Sequence, residues 1–353
     1  MLCTLDGVKV DAVATYLPTE VRNFDDLRSE LGAKVVDLTV KNSGIQSLRV
    51  AAADQTSSDM CFEAAELLFA KTGINRAEID AVVMVSQTFD YLGPASSIIL
   101  QHRLGLSRDV ACFDIIYGCS GYVYGLYQAA LLIRSGTCRR VLLLNGETNT
   151  RLMDDSIKDQ YMVFGDAASA TVVSRGNQSM MFHIASDGGR HGCVLNLVNG
   201  FRPPILIDQG VMPLAPSGGY AKATNDGMAV FDFILHEGAN TIRTISERVG
   251  WRLDEVDFFA LHQATEVTLR FLTRRLGISA QKAPFVSHHF GNTSSVTIPL
   301  VLTTCASNGL YDSATWTKVV IGAFGLGLSW GSVACDLSET QFFGPANLMV
   351  DHG

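Results

Sequence analysis

The fold of this chain is decided by the stretch from Tyr117 to Gly136, YGCSGYVYGLYQAALLIRSG. Asp109–Ile116, just before it, is apolar with β-branched residues and is typical of a buried strand. The apolar run after Cys119 has the length of a helix, and Gly136 ends it. The sequence therefore places Cys119 at a strand-to-helix turn, where unpaired N–H groups and the helix dipole favour a thiolate. Taken alone, this pattern leaves a nucleophile and an inert buried cysteine equally open.

The composition argues against several classes of protein. The chain has 353 residues, of which 47% are hydrophobic and 18% charged, so it can bury a sizeable core. The net charge of −8 argues against a general nucleic-acid binder. Eight cysteines without a CxxC pair or zinc spacing indicate free thiols in a reducing compartment and no metal site. With no basic-then-apolar leader and no apolar run of ~20 residues, we expect a soluble cytoplasmic protein without a membrane partner.

Predicted strands and helices alternate through the first half. Residues 1–50 read as short strands and turns. A helix capped by Ser57 or Ser58 runs to Gly73, the strand Ala81–Val85 follows, and a helix covers Ala95–Leu104. After the Cys119 segment comes a further strand, Val141–Leu144. This alternation predicts a largely parallel sheet that is covered on both faces.

The second half repeats this plan. After a predicted helix over Met228–Val249, EVDFFALHQAT echoes EIDAVVMVSQT, and VTLRFLTRRLG parallels SSIILQHRLG. Further on, FGNTSSVTIPLVLTTCASNG parallels YGCSGYVYGLYQAALLIRSG, and TKVVIGAFGLG parallels RRVLLLNGETN. Four matched segments in one order predict two similar α/β halves, 1–175 and 176–353. The stretch Gly188–Asn225, rich in Gly, Pro and Asn, is predicted to be a long excursion that lines a site or a subunit contact.

The repeat also indicates where chemistry belongs, because sites in parallel sheets gather at the carboxyl ends of strands. Cys119 follows a strand in the first half, and His262 follows the strand FFAL in the second. Asn292 occupies in the second half the place that Cys119 holds in the first, so the two helices should bring thiol and amide together. From the residues alone, two structural interpretations stay open: His262 as a hydrogen-bonded core histidine, and Asn292 as a helix N-cap. Asp166 is predicted to be a turn residue.

Five markers together resemble the thiolase-fold condensing enzymes, specifically the β-ketoacyl-acyl carrier protein synthase III family. They are Gly-Cys-Ser-Gly at 118–121, Phe-Gly-Asp at 164–166, His-Gln-Ala at 262–264, Gly-Asn-Thr-Ser at 291–294, and Ala-Phe-Gly at 323–325 with Trp330-Gly331. The resemblance covers nearly the whole chain and implies a thiolase-like fold in an α-β-α-β-α layering. Asn292, where other condensing families carry a second histidine, points to the type III branch.

By that resemblance, Cys119 accepts an acyl group from a thioester, and His262 and Asn292 bind the carbonyl of a malonyl-type extender. Decarboxylation then gives a carbanion that attacks the acyl-cysteine, in a specialised fatty-acid or polyketide-type pathway. The backbone N–H groups of Cys119 and Leu326 are implied to hold the oxyanion, while Phe324 and Gly325 shape the site. No tightly bound cofactor or metal is implied, and the substrates are acyl-CoA or acyl-carrier-protein thioesters.

The resemblance also implies an acyl pocket that includes Gly93, Phe164 and Phe231, a carrier-protein docking site at Arg274 and Arg275, and a homodimer. Gly93 replaces a bulkier residue of the family, so we expect a longer or bulkier primer than acetyl. The tryptophan and arginine that hold the CoA adenine in the family fall at Leu38 and near Lys158. These departures leave room for an acyl carrier protein as the donor of the primer.

Three alternative functions compete with the condensing enzyme. An acyltransferase to an oxygen or nitrogen nucleophile needs the same three side chains but releases no carbon dioxide. A non-catalytic subunit of a heterodimeric condensing enzyme usually lacks one of the three, and all three are present. A cysteine hydrolase would share the order Cys, His, Asn, but the duplicated plan does not fit it.

Overall fold

A computed structural model describes residues 1–153, 158–196, 223–307, 309 and 311–345. The described strands are β1 (Leu2–Tyr16), β2 (Glu20–Asn23), β3 (Ser47–Val50), β4 (Ala81–Ser86), β5 (Ala111–Ile116), β6 (Arg140–Thr148), β7 (Asp166–Ser186), β8 (Val194–Asn196), β9 (Ala223–Asn225), β10 (Phe258–Leu261), β11 (Val319–Gly325), β12 (Ser329–Cys335) and β13 (Gln341–Phe343). The described helices are α1 (Phe24–Leu31), α2 (Ala33–Ser43), α3 (Ser57–Thr72), α4 (Ser96–Arg103), α5 (Gly121–Arg134), α6 (Lys158–Tyr161), α7 (Gly227–Phe233), α8 (Ala239–Arg248), α9 (Glu266–Leu276) and α10 (Thr297–Ser307).

Nine of the described strands form one continuous hydrogen-bonded sheet, and its two long antiparallel strands, β1 and β7, join two layers that we call the first and the second sheet. The pairs β2-β3 and β8-β9 form separate two-stranded sheets. One sheet has the order β5-β4-β6-β7-β1-β13, with β5, β4 and β6 parallel. The other has the order β10-β11-β12-β7-β1, with β10 and β11 parallel. Thus β10, β11 and β12 follow the order of β4, β6 and the first part of β7. The predicted boundary at residue 175 falls inside β7, so the division into 1–175 and 176–353 stays a prediction.

The helices form three layers around the two sheets. Helices α5 and α10 lie between the sheets and pack against the inward-facing side chains of both in the largest core cluster. On the outer face of the first sheet lie α3 and α4, and on the outer face of the second lie α7, α8 and α9. This α-β-α-β-α layering confirms the predicted fold class and brings the N-terminal ends of α5 and α10 to the centre of the molecule.

The N-terminal segment differs from its prediction. Residues 1–50 contain one strand of 15 residues, β1, and two helices, where the sequence predicted short strands and turns. The register between β1 and β7 shifts at Gly7, which has a φ of 78° and forms a bulge. A strand interrupted by bulges loses its simple alternation of polar and apolar side chains, so its length is set by the distant partner β7.

Strand β5, just before Cys119, was predicted to be buried, and this prediction is wrong. It lies at the edge of its sheet and pairs only with β4 among the described strands. Phe113 is 39% and Ile116 77% exposed, and Cys112 is half-buried. An apolar run looks the same whether its second face is covered by the same chain or by another molecule, so the sequence could not distinguish the two.

Smaller differences concern caps and helix continuity. Helix α3 is capped by Thr56, in a capping box with Asp59, one residue before the predicted cap. The helix predicted over Met228–Val249 consists of α7 and α8, joined by a π-helical turn over Ile234–Gly238. Of the predicted excursion Gly188–Asn225, residues 197–222 lie outside the described residues. No helix in the described ranges is long and apolar enough to span a membrane.

Candidate active site

Cys119 lies in the short turn between β5 and α5, two residues before the helix begins. A second turn, after β11, packs directly against it. A Cβ added to Gly325 would lie 2.5 Å from the Cβ of Cys119 and 3.2 Å from its Sγ. Glycine is therefore required at 325, because the backbone must come this close to the sulfur. The next residue, Leu326, also reaches this turn, since a Cβ added to Gly118 would lie 2.9 Å from its Cδ1.

The electrostatics of Cys119 differ from the sequence-based expectation. Burial raises the pKa of the Cys119 thiol to about 12, against a smaller lowering by the Ser294 hydroxyl and by its own backbone N–H. The nearby carboxyl of Glu147 raises it further. The helix terminus was expected to favour a thiolate, but loss of water around the sulfur outweighs it in the free protein. Cys119 is thus a neutral thiol that needs hydrogen-bond donors as its charge develops.

One turn of the second half connects the three residues singled out by the sequence. The hydroxyl of Ser294 donates to the Sγ of Cys119 across 3.7 Å, and the backbone N–H of Ser294 donates to Asn292 Oδ1 across 2.9 Å. The carbonyl oxygen of Ser294 accepts from Thr297 Oγ1 at 2.9 Å, and that hydroxyl lies 2.7 Å from His262 Nδ1. Cys119, His262 and Asn292 therefore converge around Ser294, although their catalytic roles stay a prediction.

His262 follows β10 directly and is held by its backbone N–H, which donates to the Gly322 carbonyl across 2.8 Å. Only 3% of the residue is exposed, and burial lowers the pKa of His262 to about 3. The imidazole is consequently neutral around pH 7. The ring of Phe324 meets it edge-on, with 6.2 Å between centroids. This is the environment of a neutral hydrogen-bond donor and not of a cationic one.

Asn292 lies in a turn that leads into a helix, next to the N-cap residue Thr293, and its catalytic role stays a prediction. Its backbone is fixed by bonds from its N–H to Val163 O and from Gly165 N–H to its own carbonyl. Its Oδ1 accepts from Ser294 N–H, at the start of a 3₁₀ turn over Ser294–Val296 that leads into α10. With Oδ1 engaged in this local cap, the amide nitrogen is the part of the side chain left to donate to a substrate.

A cavity of about 990 Å³ adjoins the turn of Cys119 and reaches Gly118 and Leu326. Its apolar side chains include Phe89, Leu92, Ile116 and Tyr117, and its polar ones include Thr56, Gln87, Asp90, Thr148 and Arg151. The sequence predicted the pocket from other residues, and these do not line this cavity. Gly93 lies on an exposed loop, Phe164 packs on Leu152 and Met153, and Phe231 pairs with Phe271. Their assignment to an acyl pocket therefore stays a prediction.

Sequence reasoning missed the residues that support the site. Glu147 on β6 is fully buried, and it accepts from the Gln87 backbone N–H at 3.2 Å and from the Ser295 hydroxyl at 2.8 Å. Gln87 Nε2 donates to Ser294 Oγ across 3.0 Å. Gln87 follows β4 directly, so the rule that selected His262, a polar residue at a strand's carboxyl end, could have found it. Ser294 belongs to the marker Gly-Asn-Thr-Ser at 291–294, but the sequence indicated no catalytic or binding role for it.

The remaining predicted residues lie away from the sulfur. Arg274 and Arg275 are exposed on the last turn of α9, and Leu38 is 57% exposed on α2. The side chain of Lys158 lies outside the described residues. Asp166 is a buried first residue of β7, where its carboxyl accepts from Ala51 N–H and from both the backbone and the hydroxyl of Thr150; it is structural, but it is not in a turn. Within the described ranges, no three His, Cys, Asp or Glu side chains are placed to hold a metal.

Comparison with known proteins identifies one family. The model described as 3-oxoacyl-[acyl-carrier-protein (ACP)] synthase III matches residues 113–188, and the model of its C-terminal part matches residues 246–337. The β-ketoacyl-[acyl-carrier-protein] synthase III of Streptococcus gordonii is 29% identical over 331 residues, which are 92% of this chain and 98% of that protein.

Solved structures agree over nearly the full length. A 3-oxoacyl-(acyl-carrier protein) synthase from Burkholderia xenovorans LB400 superimposes with a TM-score of 0.89 at 29% identity, covering 98% of this chain and 99% of that one. A crystal structure of a 3-oxoacyl-(acyl-carrier-protein) synthase III gives a TM-score of 0.86 at 30% identity, covering 93% and 99%. The chain therefore belongs to the 3-oxoacyl-[acyl-carrier-protein] synthase III family, which its sequence resembles.

Proposed function

We propose that the protein is a decarboxylative condensing enzyme that loads an acyl group on Cys119 and extends it with a malonyl-type thioester to a β-ketoacyl product. One observation carries the proposal. A thiol, a neutral imidazole and a carboxamide meet around one turn, beside a cavity large enough for an acyl chain. Membership of the synthase III family supports the same chemistry.

In the first step, the sulfur of Cys119 attacks the carbonyl carbon of the primer thioester. The carbon–sulfur bond of the donor breaks, and the leaving thiolate takes up the proton that Cys119 gives off. Negative charge develops on the carbonyl oxygen, and the backbone N–H groups of Cys119 and Leu326 are the proposed donors to it. The close approach of Gly325 to Cys119 supports this assignment, because it brings the Leu326 turn next to the reacting carbon.

In the second step, the extender loses carbon dioxide, and its thioester carbonyl becomes an enolate oxygen. His262 Nε2 and the Asn292 amide are the proposed donors to that oxygen. A neutral imidazole carries one ring hydrogen, so Nε2 can donate only if Nδ1 accepts. The Thr297 hydroxyl, 2.7 Å from Nδ1, supplies that hydrogen when it turns away from the Ser294 carbonyl, to which it donates across 2.9 Å in the free protein. The enolate carbon then forms the new bond to the acyl carbon, and Cys119 leaves as a thiolate.

The surface supports docking of an acidic carrier protein near the site. Arg270, Arg274 and Arg275 are exposed on α9, and Arg243 on α8 donates to the Arg275 carbonyl. None of these four side chains forms an ion pair with another described residue within 4.0 Å. Despite the net charge of −8, this face is therefore locally basic and complements a carrier protein's negative charge.

A homodimer is proposed from the exposed edge of the first sheet. Strand β5 leaves one edge unpaired by described strands and carries Ile116, which is 77% exposed. Tyr91 and Leu92, at 63% and 74% exposure, also line the cavity next to Cys119. Edge strands with apolar side chains are usually covered, and a twofold-related copy would extend the sheet and cover this one.

The size of the cavity supports a primer longer or bulkier than acetyl.

The test is a panel of acyl-CoA and acyl-carrier-protein primers offered with carboxyl-labelled malonyl thioester. We expect acyl-Cys119 by intact mass, followed by labelled carbon dioxide and a β-ketoacyl product. If the acyl group is transferred to an oxygen or nitrogen nucleophile and no labelled carbon dioxide is released, the protein is an acyltransferase and not a condensing enzyme. Loading of acetyl alone would refute the larger primer.

A further inference from the structure

We propose that the hydroxyl of Ser294 is a further catalytic group, which donates a hydrogen bond to the sulfur of Cys119 and stabilises the thiolate in both acyl transfer steps. The inference rests on the proposed function for the identity of those steps. The hydrogen bond itself is a property of the free protein. Ser294 has no role in the sequence markers or in the proposed steps of Cys119, His262 and Asn292.

The direction of this hydrogen bond follows from the partners of Ser294 Oγ. Gln87 Nε2, which can only donate, points at this oxygen across 3.0 Å. The hydroxyl therefore accepts from Gln87 and must place its own hydrogen elsewhere. The sulfur of Cys119, at 3.7 Å, is the acceptor that it meets among the described residues. Ser294 is 1% exposed, so water does not compete freely for this hydrogen.

Gln87 is itself held in place by the first half of the molecule. Its backbone N–H donates to one oxygen of Glu147, and the other oxygen of Glu147 accepts from the hydroxyl of Ser295, next to Ser294. A Cβ on Gly118 would lie 2.5 Å from Gln87 Nε2, so the amide is also confined from the cysteine turn. The ends of β4 and β6 thus fix the serine turn of the second half against the sulfur of the first.

The backbone of Ser294 is kept in an unusual conformation at this position. It is the one described residue other than glycine with a positive φ, 54°. Bonds from its N–H to Asn292 and from Thr297 to its carbonyl hold it there. Such a conformation costs free energy and persists where the surrounding structure enforces it, commonly at functional sites. Here the left-handed turn is what aims the hydroxyl at the sulfur while Asn292 keeps its amide nitrogen free.

The chemistry needs a donor at this place. Burial makes the thiolate of Cys119 costly, yet sulfur gains charge twice in the cycle. During loading, it gives up its proton to the leaving thiolate and bonds to the acyl carbon. During condensation, the bond from sulfur to that carbon breaks and the electron pair returns to sulfur, which later takes a proton from solvent. Ser294 keeps its own hydrogen throughout. A hydrogen bond to a charged group has a strength that shifts the pKa of a thiol by about one to two units.

Two variants test the hydroxyl separately from the backbone. Ser294→Ala removes the hydroxyl and keeps the strained φ, whereas Ser294→Gly removes it and relieves the strain. We measure alkylation of Cys119 by iodoacetamide in the full-length protein between about pH 7 and pH 9, read by intact mass and peptide mapping. Loss of the hydrogen bond should lower the thiolate fraction about 10- to 100-fold, but the more basic thiolate is also more nucleophilic. Together the two effects should make alkylation about 3- to 10-fold slower in both variants.

Ser120→Ala is the matched control. Its hydroxyl is equally buried beside Cys119, but it bonds to the Ser329 hydroxyl at 2.6 Å and not to the sulfur, so alkylation should keep the wild-type rate. Wild-type alkylation in both Ser294 variants would overturn the proposal, and so would slowing in Ser294→Ala alone, which would assign the effect to the backbone. If these variants do not fold, Gln87→Met, which frees the hydroxyl to turn away, should slow alkylation, and an unchanged rate would overturn the proposal.

The outcome is independent of the proposed function. A wild-type protein that accepts no acyl group from any thioester would refute the condensing activity while the alkylation rates still report on the hydrogen bond. Where loading does occur, both Ser294 variants should also release the acyl group from acyl-Cys119 to the extender more slowly. Labelled carbon dioxide release by His262 and Asn292 should be less affected, because that step puts no charge on sulfur.

Discussion

Replacing Glu147 by Gln should remove a pH dependence from the stability of the protein. Glu147 is fully buried on β6, with one oxygen accepting from the Gln87 N–H and the other from the Ser295 hydroxyl. A glutamine fits the same site, since its carbonyl can accept from Gln87 and its amide can donate to the Ser295 oxygen. The variant therefore keeps the shape and removes the ionisable group, while the Ser295 hydroxyl, which donates to the carboxylate, turns to accept from the amide.

The magnitude follows from the pKa of the carboxyl. Burial, only partly offset by the bonds from Ser295 and Gln87, raises the pKa of Glu147 from the ordinary 4.5 to about 8. The folded state then binds more protons than the unfolded chain between these values. Its stabilisation is complete below about pH 4.5 and is lost as the pH rises to about 8. A pKa difference of about 3.5 corresponds to about 5 kcal/mol in total, of which about 3.5 kcal/mol is lost between pH 5 and pH 8.

The assay is urea unfolding of both proteins at equal concentration from about pH 5 to pH 8. All other titrating groups are shared, so they cancel in the difference between the two free energies of unfolding. We expect the wild type to lose about 3.5 kcal/mol relative to Glu147→Gln across this range. Two curves that stay parallel with pH would refute the reasoning, because they would mean that the carboxyl is as well solvated in the folded protein as in the unfolded chain.

Three further predictions concern the reaction. Cys119→Ala should abolish acyl loading by intact mass while the circular dichroism spectrum stays unchanged, and full activity would require another nucleophile. Thr297→Val removes the hydroxyl at His262 Nδ1, so it should slow labelled carbon dioxide release about 10- to 100-fold, with Thr297→Ser close to wild type. Equal rates in the Val and Ser variants would contradict a role in setting the tautomer. Arg274→Glu combined with Arg275→Glu should raise the KM for carrier-protein thioesters and leave that for CoA thioesters unchanged; an equal rise for both would contradict carrier docking.

Much of the fold was predictable because its signals are local and occur twice. The apolar runs that became β4, β6, β10 and β11 are short, buried and bounded by polar or glycine residues, so each could be read without its partners. The matched order of segments then indicated two similar halves. It also indicated that Cys119, His262 and Asn292 lie at strand ends and helix starts that converge, which the described geometry reproduces.

What failed in the prediction depends on partners far away in the chain. The exposure of β5 depends on where the sheet ends, and the length of β1 depends on its pairing with β7. The contact of Phe231 on α7 with Phe271 on α9 likewise joins residues that are distant in the chain. None of these contacts joins residues close in sequence, so no pattern within a window of residues carries them.

The sequence by itself determined the layered α/β fold, its family and the expectation that Cys119, His262 and Asn292 converge, because these rest on residue types at fixed spacing. Only the tertiary structure decided the electrostatic state of those groups. The thiol of Cys119 and the imidazole of His262 are both neutral because folding removes water from them. The hydroxyl of Ser294 faces the sulfur because Gln87 and Glu147, more than 140 residues away, hold it there. Desolvation and hydrogen-bond direction are properties of the packed molecule, and a linear sequence does not contain them.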